Sequence, residues 1–351
     1  MPAGRPFTWH RPGNKACFKG NGQMLQIINP SDDPYFNMAV EDYLVHNPDL
    51  NEDIFMLWQN RPTVVVGRHQ NSHAEINLAL VRQKGIEVVR RLSGGGAVYH
   101  DRGNLNFTFI TTAAGMKLDF AAFTVPVIEV LHQLGVPAEH TGRNDIVIKG
   151  RKFSGNAQYR FKNRLMHHGT ILFASNLEDV SQALKPDASK TIAKGVASVR
   201  SRVTNISEHL PRPLSLEEFK NMLLERIRAH SNGFQRRELT GPEIEQVNAL
   251  RNSRYTSWDW NYGHSPQFSQ RRLARFSWGS MEAFLLVKRG IIEQCRFFGD
   301  FFTIADLSIL EKALQGVPLR EEALRGVLEA LDPGTIIPGA SVQQIMSLMI
   351  D

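Results

Sequence analysis

The stretch 145–173, DIVIKGRKFSGNAQYRFKNRLMHHGTILF, decides the fold class. It divides into Asp145 to Lys149, Lys152 to Tyr159 and Leu165 to Phe173, three short runs rich in β-branched and aromatic residues and separated by glycine and basic turns. Connections this short can join only antiparallel neighbours, because parallel strands need a crossover of a dozen or more residues. Strand-like runs also precede the stretch, at Met24 to Ile28, Ile54 to Gln59, Thr63 to Val66, Ile86 to Arg91, Ala97 to His100 and Leu105 to Thr111. Helical spacing interrupts them at Tyr35 to Leu44, Ala74 to Lys84 and Ala121 to Leu134. Helices follow at Leu177 to Leu184, Leu216 to Ala229 and Glu243 to Asn252, the second opened by a Ser215/Glu218 capping box. This order predicts an α+β protein with a large mixed or antiparallel sheet and flanking helices, not a doubly wound one.

A composition change near Asn261 to Ser265 marks a boundary. Beyond it lie strand runs at Arg272 to Trp278, Met281 to Lys288 and Ile291 to Phe298, then helices near Ala305 to Leu314, Glu321 to Leu331 and Val342 to Met349. The expected organisation is a disordered N-terminal extension over residues 1–23, a large domain over 24–262, and a small C-terminal α+β accessory domain over 263–351.

The chain has 351 residues, 42% hydrophobic and 22% charged, which excludes collagenous and wholly disordered classes. No run approaches the ~20 apolar residues of a membrane-spanning helix, so no membrane association is expected. Cys17 and Cys295 are the only cysteines, which excludes a disulfide framework and fits a reducing, cytoplasmic compartment. The net charge of +6 points at first to nucleic acid. Residues 1–23, however, carry four basic side chains and no acid, leaving 37 basic against 35 acidic residues. The excess in the body is local: residues 141–205 hold 12 basic and 4 acidic side chains, a density suited to an anionic ligand or an acidic partner.

Two constellations carry chemistry. In Arg90-Arg91-Leu92-Ser93-Gly94-Gly95-Gly96-Ala97-Val98-Tyr99-His100, consecutive glycines at a strand end allow close approach to backbone N–H groups, and the arginines offer charge for a phosphate or carboxylate. A flexible hairpin with solvated arginines has the same pattern. The run matches neither the P-loop nor the dinucleotide fingerprint. The second constellation comprises Gly142-Arg143-Asn144-Asp145, Lys152 with Ser154-Gly155, and His167-His168-Gly169-Thr170. Across a hairpin, Asp145 can hold the Lys152 ammonium where it neutralises charge developing on a phosphoryl or acyl oxygen, although surface Lys–Asp pairs are common. His167 and His168 fall on opposite faces of a strand, so they cannot share a metal.

These motifs, in this order and spacing, resemble the lipoate-protein ligase A family of the biotin/lipoate ligase superfamily. Asn37-Met38-Ala39-Val40-Glu41, Gly67-Arg68-His69-Gln70-Asn71, Ser198 to Asn205 and Trp258-Asp259-Trp260-Asn261-Tyr262-Gly263 extend the likeness over residues 24–351. The resemblance implies a ligase that activates lipoate with ATP to lipoyl-AMP, releasing pyrophosphate, and then passes the lipoyl group to an acceptor lysine. It implies Lys152 as the catalytic residue, with Arg91, Gly96, Ala97, Val98, Tyr99, Asn144, Asp145 and Lys152 at the nucleotide. Arg91, Gly95, Lys152 and His168 would meet lipoate. Mg2+ would accompany ATP, with Asp145 the one protein side chain to consider for it. The implied partners are apo lipoyl domains of 2-oxoacid dehydrogenase E2 subunits and the glycine cleavage H protein, served by a monomer.

The octanoyl transferases of the superfamily work through a cysteine thioester, and no cysteine lies between Cys17 and Cys295. A lipoyltransferase that accepts preformed lipoyl-AMP shares the motifs. The rival from another class is a non-catalytic basic nucleic-acid-binding module, for which Phe153, Tyr159 and Phe161 beside Arg160 and Lys162 would be the stacking platform.

Overall fold

The computed structural model describes residues 23–112, 119–141, 144–184, 202–262 and 270–350. Residues 1–22 of the N-terminal extension, Gly142-Arg143 and Ser198 to Ser201 therefore lie outside the described residues, as does most of the expected boundary.

The quoted stretch folds as expected. Strands β8 (Asp145–Ile148), β9 (Arg151–Phe161) and β10 (Arg164–Leu172) pair antiparallel in succession. The β8–β9 turn is just Lys149-Gly150, with φ of 49° and 77°, the left-handed pair that tight hairpins favour. These strands belong to an eight-stranded sheet in the order β11-β1-β2-β6-β10-β9-β8-β7. Its other members are β1 (Met24–Ile28), β2 (Asp53–Trp58), β6 (Asn104–Thr112), β7 (Ala138–Thr141) and β11 (Phe234–Glu238).

Two parts of the sheet differ from the expected pattern. β11 has no counterpart among the strand-like runs, and it pairs parallel to β1. Its sequence, Phe-Gln-Arg-Arg-Glu, lies at a sheet edge with most side chains exposed, so no apolar alternation marks it. β1 and β2 are also parallel, joined by a crossover through helix α1 (Pro34–His46). The single helix expected over 74–84 is two, Ser72–Glu75 and Leu78–Gln83, because the Asn77 side chain caps the second by accepting from the Leu80 N–H.

Alternation along the strands separates the two sheet faces. Phe55, Phe107, Phe109 and Phe153 pack against α4 (Ala121–Gln133) and the helix Leu216–Ala229. Met56, Trp58 and Met166 face α1. Helix α1 is buried on nearly all sides, which lets its polar residues Asn37, Glu41 and Asp42 reach inward partners. A second small sheet, β4-β3-β5, is formed by Glu87–Arg90, Thr63–Val66 and Val98–His100. The C-terminal strands Gln270–Phe276, Gly279–Lys288 and Ile291–Gly299 form a three-stranded meander with its own apolar core. No helix among the described residues is long and apolar enough to cross a membrane.

Candidate active site

Cross-strand register sets the floor of the site. Trp58 pairs with Asn106, Asn106 with Thr170, Thr170 with Gly155, and Gly155 with Asp145, a single row across five strands. Over this row lies a narrow cavity, lined at one end by Trp58, Met38 and Val65 and at the other by Lys152, Gly155 and Asn144. From Trp58 to Gly155 the row crosses three inter-strand steps of ~4.8 Å, or ~14 Å in all. A wider cleft meets this slot; Gly96, Ala97, Val98, Lys152, Gly155 and Thr170 line both.

Lys152 stands at that junction. Its Nζ lies 2.7 Å from Asp145 Oδ1, the pair expected across the hairpin. The register of β8 on β9 shifts between Ile146 and Val147, so Phe153 enters the core while Lys152 remains on the cavities. Gly155 supplies the space: a Cβ there would come within 2.8 Å of the Lys152 ammonium. Thr204 N–H donates to the Lys152 carbonyl at 2.9 Å and fixes the strand from its other edge.

The three glycines have three different reasons. A Cβ on Gly94 would lie 2.2 Å from the Phe301 carbonyl oxygen, so Gly94 admits the C-terminal meander. Gly95 has φ of 90° and donates its N–H to the same carbonyl. Of the three, only Gly96 has open space, with no atom within 4 Å of the point a Cβ would occupy, and it faces both cavities. Open space for close approach by a ligand thus lies at Gly96, while Gly95 also lines the slot with Arg91 and the Phe302 ring filling the direction of its absent Cβ.

The two arginines are committed to the scaffold. Arg90 donates to the carbonyls of Gly67, Arg68, Gln70, Trp260 and Asn261 and to the Ser72 hydroxyl, at 2.7 to 3.2 Å. Arg91 lines the slot, yet its guanidinium donates to Ser93 Oγ and to the carbonyls of Val65, Gly94 and Gly96, closing the loop around itself. Burial pulls both down to about 10. Tyr99 packs in the buried cluster of Val64, Val66 and Val88 and also borders the wide cleft.

His168 and His167 do occupy opposite faces. His168 lines the slot; its Nδ1–H donates to Glu41 at 2.9 and 3.0 Å, and its Nε2 lies 2.5 Å from Ser93 Oγ. Glu41 also accepts from Thr108 Oγ1 at 2.5 Å, which in turn accepts from Trp58 Nε1. A Glu–His–Ser chain has the connectivity of a hydrolytic triad, but Ser93 is only 1% exposed and lines neither cavity. It is a brace for the glycine loop. His167 is stacked on Phe123 and Phe107, and burial holds its pKa well below the ordinary value. Asn144 lines the slot and is locked to Asn156 by reciprocal side-chain-to-carbonyl bonds.

The aromatic platform of the nucleic-acid reading is not open. Phe153 is fully buried, the Tyr159 hydroxyl pairs with His46 at 3.1 Å, and Phe161 meets the same imidazole edge-on. Residues that the motifs contained without an assigned role, Glu41 and His100, are part of the site; Trp58 and Met38 are part of its apolar wall.

A family model described as the lipoyl protein ligase A/B catalytic domain matches residues 33–228, and one described as the bacterial lipoate protein ligase C-terminus matches residues 265–349. A lipoate-protein ligase of Bacillus subtilis, LplJ, is 45% identical over 313 residues, covering 88% of this chain and 95% of the relative. The crystal structure of P. falciparum LipL1 with lipoate is similar in fold, with a TM-score of 0.77 and 24% identity over 93% of this chain and 99% of that one. A bipartite lipoate protein ligase from Thermoplasma acidophilum, solved in a study of the enzyme and its E2 lipoyl domain, has a TM-score of 0.60 and 25% identity, covering 71% of this chain and 99% of that one. With family models matching residues 33–228 and 265–349 and 45% identity to such an enzyme over 88% of the chain, this protein belongs to the lipoate-protein ligase family.

Proposed function

We propose that this chain is an ATP-dependent lipoate-protein ligase that forms lipoyl-AMP and pyrophosphate from lipoate and ATP, then transfers the lipoyl group to a lysine of an apo lipoyl domain. The observation that carries the proposal is the position of Lys152, at the point where a slot walled by Trp58, Met38 and Val65 opens into a wider cleft. The slot takes the acyl chain with its carboxylate at Lys152; the cleft takes the nucleotide over Gly96, Ala97 and Val98.

In the first half-reaction the carboxylate oxygen attacks the α-phosphorus and pyrophosphate leaves. The Lys152 ammonium, held by Asp145, neutralises the negative charge that accumulates on the non-bridging oxygens. In the second, the acceptor amine attacks the same carbonyl carbon, AMP leaves, and the ammonium stabilises the tetrahedral oxyanion. No activated side chain of this protein is needed, since the nucleophile belongs first to lipoate and then to the acceptor. Mg2+ enters with ATP as part of that substrate, bound by its phosphates. Asp145 is already ion-paired with Lys152, and no group of three or more metal-binding side chains occurs among the described residues.

The E2 subunits of 2-oxoacid dehydrogenases and the glycine cleavage H protein are the proposed acceptors, the chain acting as a cytoplasmic monomer with residues 24–262 as catalytic unit and 263–351 as accessory. The test is purified protein with lipoate, ATP, Mg2+ and apo lipoyl domain, scored for pyrophosphate and for the mass shift on the acceptor. Lys152→Ala should lower pyrophosphate release by about 10²–10³-fold. Modification from preformed lipoyl-AMP alone, with no pyrophosphate from free lipoate, would instead establish the transferase reading.

A further inference from the structure

The hairpin tip beside Lys152 carries cations that neither half-reaction uses. Lys149 and Gly150 make the β8–β9 turn, Arg151 opens β9, and Val203 pairs in parallel with Lys152, which brings Arg202 to the same rim. Lys149 and Arg202 are exposed, and neither side chain has a hydrogen-bond or ion-pair partner among the described residues. Arg151 is 40% exposed; its guanidinium donates to the Val203 carbonyl at 2.8 and 3.2 Å and lies 3.7 Å from Glu208. His209 stands among them: burial, with Lys149 and Arg151 adding to it and Glu208 opposing, holds its imidazole below the ordinary pKa, so the ring is neutral at pH 7. Counting Lys152, the rim has four cations, and the carboxylates paired with them are Asp145 and Glu208. Exposed cations gathered at the mouth of a cleft raise the local concentration of anionic partners.

Position separates this rim from the nucleotide. Gly150, Lys152 and Arg202 line the wide cleft, whereas Lys149 and Arg151 line neither the cleft nor the slot. A small molecule inside the cleft is therefore not walled by Lys149 or Arg151, but a macromolecule reaching into it from outside would cover both. A lysine side chain spans ~6 Å, so an acceptor whose amine meets the acyl carbon at Lys152 must bring its backbone to the cleft mouth, and Lys149, three residues from Lys152, is at most ~10 Å away along the hairpin. On the opposite wall the carboxylates are engaged: Glu282 by Arg271 at 2.9 and 3.1 Å, and Asp300 by the Ser280 N–H at 2.6 Å.

We infer that the rim formed by Lys149, Arg151 and Arg202 is a docking surface for the acceptor domain, pairing with carboxylates that flank its target lysine. This rests on the proposed function, which brings an acceptor lysine to Lys152. Contacts between exposed charges act chiefly on the rate of encounter and on register, so the rim favours a lysine with acidic neighbours over other surface lysines. Acceptor recognition is thereby separate from lipoate activation, which needs nothing outside the slot and cleft.

The test is Lys149→Glu, assayed for each half-reaction by itself: pyrophosphate release from lipoate and ATP without acceptor, and transfer from preformed lipoyl-AMP to an apo lipoyl domain. Reversing one exposed charge should lower kcat/KM for the acceptor about three- to tenfold and leave pyrophosphate release unchanged. The difference from wild type should close in about 0.5 M NaCl, where such contacts are screened. An unchanged acceptor value would overturn the inference, as would equal losses in both half-reactions, which would assign the rim to the nucleotide. An unchanged acceptor value with weakened binding of a DNA oligonucleotide would overturn it in favour of nucleic acid. If Lys149→Glu does not fold, the wild-type protein still decides, through acceptors whose flanking carboxylates are changed to amides. A three- to tenfold loss supports docking at the rim, and indifference to those carboxylates overturns it. Failure of the wild-type protein to release pyrophosphate or to modify any acceptor would instead refute the proposed function.

Discussion

Gly155→Ala separates the packing of the site from its chemistry. The added methyl would lie 2.8 Å from Lys152 Nζ and 3.0 Å from its Cε, with no backbone atom among the close contacts. Ordinary van der Waals separation is ~3.5 Å, so the ammonium must retreat by roughly 0.7 Å. A lysine end can do that by rotamer change, and Gly155 has no left-handed φ to strain, so the fold is retained. Losing a glycine from the unfolded chain adds about 0.4–1 kcal/mol of stability. The cost falls on the position of the charge, where a misplacement of ~1 Å is worth up to ~10²-fold in rate. The expected result is a melting temperature at or above wild type together with pyrophosphate release lowered about 10- to 100-fold. Thermal melts and a continuous pyrophosphate assay on the same preparation measure both. Wild-type turnover with intact folding would refute the placement of Lys152 at the reacting centre. Gly169→Ala is the contrasting control, because its methyl would meet Asn156 Oδ1 at 2.3 Å and the Phe107 ring at 2.4 Å inside the core.

The glycine loop offers a matched pair. Gly96→Ala has no protein atom to strike, so it should leave the melting curve unchanged and raise the KM for ATP; an unaltered KM would remove Gly96 from the nucleotide site. Gly94→Ala, 2.2 Å from the Phe301 carbonyl, should increase proteolytic susceptibility near Phe301, and an unchanged digestion pattern would count against that contact. Stability should also fall in acid. His69 and His100 are depressed to about 3 by burial, with neighbouring cations adding to it, and His167 is depressed likewise, so the unfolded chain binds protons that the folded one refuses. Their destabilising effect is absent above pH ~6.5 and grows as pH falls towards 3, by up to ~1.4 kcal/mol per histidine per pH unit. Urea midpoints at pH 7 and pH 5 test this, and equal midpoints would refute it.

The antiparallel half of the fold was legible because its turns are explicit: Lys149-Gly150 can only be a tight reversal, and the β-branched runs on either side have strand length. β11 was hidden because an exposed edge strand has no buried face to write a period of two into the sequence. In the site, the Asp145–Lys152 pair was readable from hairpin geometry alone. The arginines show why charge is harder to read. Local sequence presents Arg90 and Arg91 as two cations flanking an anion loop, whereas the acceptors of Arg90 include the carbonyls of Gly67, Gln70 and Trp260, up to 170 residues away in sequence, and those of Arg91 are the carbonyls of Val65, Gly94 and Gly96 with the Ser93 hydroxyl. Trp58 and Met38 carried no signal distinguishing a ligand wall from an ordinary core, since both are buried apolar residues on periodic elements.

The arrangement also orders the two proposed half-reactions. The carbon attacked by the acceptor amine is the one whose oxygen attacked ATP, so the acyl chain has no reason to leave the slot between steps. What must change is the occupant of the wide cleft, from pyrophosphate to acceptor lysine. That cleft is walled on one side by Leu273 and Glu282 of the C-terminal meander and by Asp300 just beyond it. The same meander is anchored to the slot loop through Gly94 and Gly95 on the Phe301 carbonyl, and through Gly299 N–H on the His69 carbonyl at 2.8 Å. The wall of the cleft and the shape of the glycine loop are thus tied together by these contacts. Gly94→Ala should for that reason alter lipoyl transfer from preformed lipoyl-AMP as well as adenylate formation, while Gly96→Ala acts mainly on the first step.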